Sequence, residues 1–309
     1  MVMTIRFGGY QGDQSVHTRG GRALGEALAR LSSGDIALDF DENIVTRGQK
    51  AAELLSMTEH GAIDGCYFSS SYLANRVPEL GVFDQHFMVP DRRRAYRLLD
   101  GALGDRLKAQ VQATTGYKVL GYWDNGLRHI SSRTPIRTPS DCQGLKLRTL
   151  ANEDHQRVFR ALGFDPKAID VRDLPKAVAT GAVDAQENPL TNIYNFQLHK
   201  THRHVTLSRH LLGVALVLFR KATVESWPDR IRTLVEAAVA EATRAQRRFA
   251  EDDDAVCRAA LACDGVEIVD LSETERARFA DACRGEVQTT RARFDPELID
   301  LFDRELAAE

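Results

Sequence analysis

The chain lacks a long apolar run. The longest, Leu211-Leu-Gly-Val-Ala-Leu-Val-Leu-Phe219, is about half of what a bilayer-spanning helix needs. Rich in branched residues, it reads as a buried strand. There is no basic excess either: 41 Lys and Arg stand against 44 Asp and Glu, for a formal net charge of -3. This excludes the electrostatic footprint of a nucleic-acid binder. The short run Arg92-Arg93-Arg94 reads as a solvated helix face, and so does Asp252-Asp253-Asp254. Five cysteines (Cys66, Cys142, Cys257, Cys263 and Cys283) form no CxxC pair, so zinc-ribbon and redox motifs are missing. The odd number leaves at least one free thiol and admits one bridge among the three late cysteines. Gly8-Gly-Tyr-Gln-Gly12 is neither GxGxxG nor a P-loop, and Ser69-Ser-Ser71 lacks the GxSxG frame of a hydrolase. His199, His202, His204 and His210 cluster without a metal-ligand spacing, so no metal and no cofactor is expected. The opening Met1-Val-Met-Thr-Ile-Arg-Phe-Gly-Gly has no basic n-region and no long apolar h-region. Two readings fit: a leader removed upstream, or a protein that stays in the cytosol.

What is present is an ordinary soluble composition, 43% hydrophobic and 28% charged, over 309 residues, which suits two lobes better than one core. Ile5-Arg-Phe7 reads as a strand, followed by a glycine-rich loop. Ser15 caps a helix through Leu24, Leu28 and Leu31. Ile36–Phe40 alternates as a strand, a helix covers about Gln49 to Thr58, and Gly61–Phe68 is extended again. Tyr117–Trp123 and Arg128–Ser132 read as two strands separated by Asp124-Asn-Gly126. Gly144–Arg148 is a strand ending at a loop, and a helix follows from about Asp154 to Leu162. Ile169–Val171 is short and extended. Asp173 caps a helix ending near Gly181, and Val183–Glu187 is extended. From Pro228 to about Ala262 helix formers dominate, a length that could bridge two lobes. The alternation predicts an α/β fold with largely parallel sheets.

Arg128 and Arg148 each lie near a strand end, where α/β sheets bind ligands. A guanidinium holds a carboxylate through two parallel hydrogen bonds. Periodicity alone makes both arginines surface salt-bridge residues. Gln186-Glu-Asn-Pro189 places amide and carboxylate groups directly after a strand, and Asn188 offers both a donor and an acceptor. A turn stabilised by Asn and Pro accounts for the same residues equally well.

Several motifs in order resemble one family. Asp124-Asn-Gly-Leu-Arg-His-Ile-Ser-Ser132 and Pro139-Ser-Asp-Cys-Gln-Gly-Leu-Lys-Leu-Arg148 look like its two arginine-bearing segments. Gly181-Ala-Val-Asp-Ala-Gln-Glu-Asn-Pro-Leu-Thr-Asn192 is similar to its most distinctive stretch. Gly61-Ala-Ile-Asp64 and Leu80-Gly-Val-Phe-Asp84 extend the likeness over nearly the whole chain. The family is that of the DctP-type solute-binding subunits of TRAP transporters.

The resemblance implies a two-lobe periplasmic binding protein, a Venus flytrap, with a ligand cleft and a long helix spanning both lobes. It implies residues 1–124 plus about 213–250 as lobe 1, and 125–212 plus about 251–309 as lobe 2 with the C-terminal helices. It also implies a monomer without catalysis that delivers a small organic acid to a membrane permease. Arg148 matches the carboxylate clamp, Arg128 a second arginine, and Asn188 the amide at the same ligand end. Asn192 and His210 match occasional cleft residues. Tyr10, Gln11, Ser70 and Tyr72 sit in selectivity loops, and Tyr10, Tyr72 and Trp123 could accommodate an aromatic or a short hydroxy or keto acid. Val171 departs from an aromatic residue common in sialic-acid-type members, and Gln85-His86 departs from small residues or proline. The rival reading is an α/β enzyme acting on small carboxylates, with Glu187 or His129 as base.

Overall fold

A computed structural model describes residues 2–308. Along the chain run β1 (Met3–Gly8), α1 (Val16–Leu31), β2 (Ile36–Asp41), α2 (Glu53–Glu59), β3 (Gly65–Ser69), α3 (Arg92–Asp100), α4 (Ala102–Thr114), β4 (Tyr117–Ser132), β5 (Lys146–Thr149) and α5 (Glu153–Ala161). Then follow β6 (Asp165–Ala168), α6 (Leu174–Thr180), β7 (Ala185–Pro189), α7 (Leu190–Asn195), β8 (His204–Arg220), α8 (Lys221–Ser226), α9 (Asp229–Cys263), β9 (Glu267–Asp270), α10 (Glu273–Arg291) and α11 (Pro296–Ala307). They divide into two compact units. Unit 1 is 1–77, 104–125 and 214–252, and unit 2 is 78–103, 126–213 and 253–309. Helix α9 contributes to both, as do β4 and β8.

In unit 1, β1 pairs in parallel with β2 and β3, and the C-terminal part of β8 runs antiparallel to β3. The apolar run expected as a strand is that part of β8. Phe7, Tyr67, Trp123 and Phe219 form the core with Val235, Ala238, Val239 and Ala242, the buried stripe of α9. Ser15 caps α1 as expected, its hydroxyl accepting from the His17 N–H (3.1 Å). Gly21 lets α1 lie on β2, since a Cβ there would stand 2.3 Å from the Phe40 ring.

In unit 2, β5 pairs in parallel with β6 and β7, β4 runs antiparallel to β7, and β9 pairs in parallel with β8. Leu147, Phe159, Phe279 and Val287 pack together, joining the sheet to α5 and α10.

Several expectations are corrected. Tyr117–Ser132 is one strand, not two. The Asp124-Asn-Gly turn signal is overridden because the Gln246 side chain bonds both the N–H and the C=O of Asp124 (2.9 and 2.7 Å). Gly126 takes φ +84° beside Pro189, where a Cβ would clash at 2.4 Å. Helix α2 begins later than expected because the Glu53 carboxylate accepts the Lys50 N–H (2.8 Å). Strand β3 starts only at Gly65, after a turn at Gly61 (φ +80°). The strand expected at Ile169–Val171 lies at Asp165–Ala168, where β5 offers its register. Asp173 precedes α6 without a side-chain cap bond. All five cysteines are free thiols, so no late bridge forms. Arg93 and Asp252 are exposed as expected, but Arg92 and Asp254 are half-buried and pair at 2.6 Å. Residues 78–103, expected with the first lobe, belong to unit 2. There α3 packs on α11, and the Glu305 carboxylate accepts the Ala102 N–H (2.7 Å).

Candidate functional site

The C-terminal ends of β5 and β7 and the start of the unit 2 portion of β4 gather the polar residues of unit 2. Arg148 stands opposite Gln186, Ser131 opposite Gln186, His129 opposite Asn188, and Arg128 opposite Pro189. Side chains alternate along a strand. Arg148, Gln186, Asn188 and Ser131 therefore share one face, and Arg128 and Glu187 share the other.

Arg148 is 1% exposed, and its Nε donates to the Ile169 carbonyl (2.9 Å), which fixes the plane of the guanidinium. Asn188 Nδ2 donates to Gln186 Oε1 (2.6 Å), and Asn192 Nδ2 donates to Asn188 Oδ1 (3.2 Å). Asn192, on α7, thus reaches back to Asn188 across the junction of β7 and α7.

Arg128 forks onto Glu187. Its Nε meets Oε2, and its Nη2 donates to Oε1 (2.9 Å) and to the Glu187 carbonyl (2.8 Å). Thr149 Oγ1 donates to the same carboxylate (3.0 Å), and His210 Nε2 lies 3.4 Å from it. Burial works against ionising Glu187, but the Arg128 charge and the hydrogen bonds outweigh it and hold the carboxyl well below its usual range. Burial pushes His129 well below the ordinary imidazole value. A carboxylate locked on an arginine is a poor proton acceptor, so neither enzyme candidate is set up as a base. His210 is buried, its ring stacked on His86 (5.7 Å), with Ser208 Oγ at its Nδ1 (2.8 Å).

The unit 1 candidates rest on neutral groups. Tyr10 packs on Tyr67 and Phe68 (5.2 and 5.1 Å), and Tyr72 meets Phe68 edge-on (5.2 Å). Ser15 donates to Gln11 Oε1, which also lies 3.2 Å from His17 Nδ1. The Ser70 hydroxyl is buried. Trp123 belongs to the core: it is fully buried and its Nε1 donates to Thr243 Oγ1 (3.2 Å). Sequence reasoning missed His17, which stacks on Tyr67 (5.0 Å) and is lowered to about 4 by burial. It also missed Gln186, Ser131 and His202 as a connected set. The only sequence signal was the strand alternation that puts Gln186 beside Asn188.

Comparison with known proteins places the chain in a family. The 2,3-diketo-L-gulonate-binding periplasmic protein YiaO of Escherichia coli is 26% identical over 97% of this chain and 90% of its own length. The C4-dicarboxylate-binding periplasmic protein DctP of Rhodobacter capsulatus is 30% identical over 66% of this chain and 62% of its own. The sugar acid binding protein DctPAm of Advenella mimigardefordensis, solved with galactonate, superposes with a TM-score of 0.92 at 26% identity, covering 98% of both chains. These relatives are binding proteins rather than enzymes. The model of bacterial extracellular solute-binding protein family 7, DctP, matches residues 7–292, and the chain belongs to that family of TRAP-type solute-binding proteins.

Proposed function

We propose that the protein captures a small oxygenated carboxylic acid, of the sugar-acid class, in the periplasm and delivers it to a TRAP membrane permease. Arg148 clamps the carboxylate and Asn188 donates beside it. The observation that carries this reading is a buried guanidinium at a strand end, oriented by its own Nε–Ile169 bond and sharing a face with Asn188. A guanidinium pairs with a carboxylate through a planar fork, and burial strengthens the pair by excluding screening water. Arg128 adds positive charge from the same end of the sheet while Glu187 holds it in place. Galactonate in the Advenella protein and 2,3-diketo-L-gulonate for the Escherichia coli relative support a hydroxylated or keto acid, and the Rhodobacter relative makes a C4-dicarboxylate the competing class.

A thermal-shift panel of sugar acids, short hydroxy and keto acids and C4-dicarboxylates tests the class. A ligand at a hundredfold its Kd stabilises the fold by about 2.7 kcal/mol. Arg148→Lys keeps the charge and loses the fork, so binding of the best acid should collapse. Unchanged affinity would sink the clamp, and a panel without any stabilising acid would sink the ligand class. Uptake of the same acid by cells deleted for the protein tests delivery: undiminished uptake removes the permease from the reading.

A further inference from the structure

Asn188 is the second link in a row of side chains. Gln186 Oε1 accepts from Asn188 Nδ2, and Gln186 Nε2 donates to Ser131 Oγ (2.6 Å). Ser131 Oγ lies 3.1 Å from His202 Nδ1. Gln186 and Ser131 are cross-strand neighbours, so the sheet register itself sets this contact. Gln186, Ser131 and His202 are completely buried.

The three amide-donated bonds point one way, from Asn192 to Asn188, Gln186 and Ser131, and the His202 tautomer sets the direction of the last contact. A hydroxyl has a single proton. Ser131 accepts from Gln186 through one lone pair, and when its proton continues the row to His202 Nδ1 that nitrogen is bare. A neutral imidazole with a bare Nδ1 carries its hydrogen on Nε2. Turning one amide round sets two N–H groups, or two oxygens, face to face in a buried place, which is costly when no water can intervene. The row therefore reverses as a whole or not at all.

We infer that Gln186, Ser131 and His202 are positioning residues that set which way round the Asn188 amide sits, so that an N–H rather than the carbonyl is directed to the ligand carboxylate. The inference rests on the proposed role of Asn188 beside Arg148. It makes the histidine tautomer, three hydrogen bonds away, part of how the site prefers a carboxylate to a carboxamide.

Nitrogen-15 NMR of the His202 ring in the full labelled chain at neutral pH tests it, with D-galactonate as the binding probe. The expected wild-type pattern is a bare Nδ1 and a protonated Nε2; the opposite tautomer overturns the inference. In Ser131→Ala the ring should become a tautomer mixture, and galactonate affinity should fall about tenfold, while Ser131→Thr should restore both to within about twofold. A residue that merely packs would not move the tautomer. An unchanged ring pattern, or unchanged galactonate affinity, in Ser131→Ala overturns the relay. If the wild type shows the expected ring pattern, and Ser131→Ala shifts it, yet galactonate does not bind, the relay stands and the sugar-acid reading falls. If Ser131→Ala does not fold, the wild-type ring pattern alone decides.

Discussion

Unit 1 and unit 2 bury polar groups by different means. Unit 1 buries Asp124 and Arg247 in its interior, but its candidate residues rest on neutral partners: Gln11 with Ser15 and His17, Trp123 with Thr243, and aromatic rings packed on Tyr67 and Phe68. Unit 2 buries full charges: Arg128 against Glu187, and Arg148 beside an amide row. A buried charge is tolerated only when partnered, because leaving water costs each ion several kcal/mol. Neutral contacts can be built for shape. A charged site needs each guanidinium held by its own partners, as Arg128 is by Glu187 and Arg148 by the Ile169 carbonyl.

The largest expected effect attacks the charged unit. Glu187→Ala leaves Arg128 buried without its carboxylate and should cost about 3–5 kcal/mol, read by urea denaturation. A loss under about 1 kcal/mol would mean that the pair is solvated in solution and that the contrast with unit 1 is overstated.

Acid acts on both units. Burial lowers His17 in unit 1 and His202 in unit 2 to about 4. Each titrates near 6.5 when unfolded, so each contribution is fully present above that pH, declines as pH falls from 6.5 towards 4, and is gone below. Each is on the order of 3 kcal/mol. Stability measured at pH 7 and pH 4.5 should drop in the wild type, with a smaller drop in His17→Phe and in His202→Phe. If only the His202 variant is flatter, proton sensitivity belongs to unit 2 alone.

The smallest effect tests the neutral contacts. Ser15→Ala removes the α1 cap and the bond to Gln11, and should cost about 1 kcal/mol. A Tm equal to that of the wild type would show that Gln11 is held by His17 instead.

Much of the fold was readable from residues. The buried run 211–219, the cap at Ser15 and the long helix to Cys263 follow from apolar spacing and local capping. The break expected at Asp124-Asn-Gly126 failed because a side chain from α9, distant in sequence, satisfied the Asp124 backbone. The assignment of 78–103 to unit 2 depends on a carboxylate near the C-terminus, Glu305, which no local pattern announces. At the candidate site, residue types and motif order singled out Arg148, Arg128 and Asn188. They could not say that Arg128 is held by Glu187, since that contact is made by strand pairing.

By itself, then, the sequence determined the α/β alternation, the family likeness and the arginines worth watching, because these depend on spacing within short segments. Only the tertiary structure decided their parts. Strand register put Arg148 and Asn188 on one face and Arg128 with Glu187 on the other, and carried the amide row through to His202. A hydrogen-bonding contact between side chains 71 residues apart, such as Ser131 with His202, is set by register and burial, and neither is written in the neighbours of any one residue.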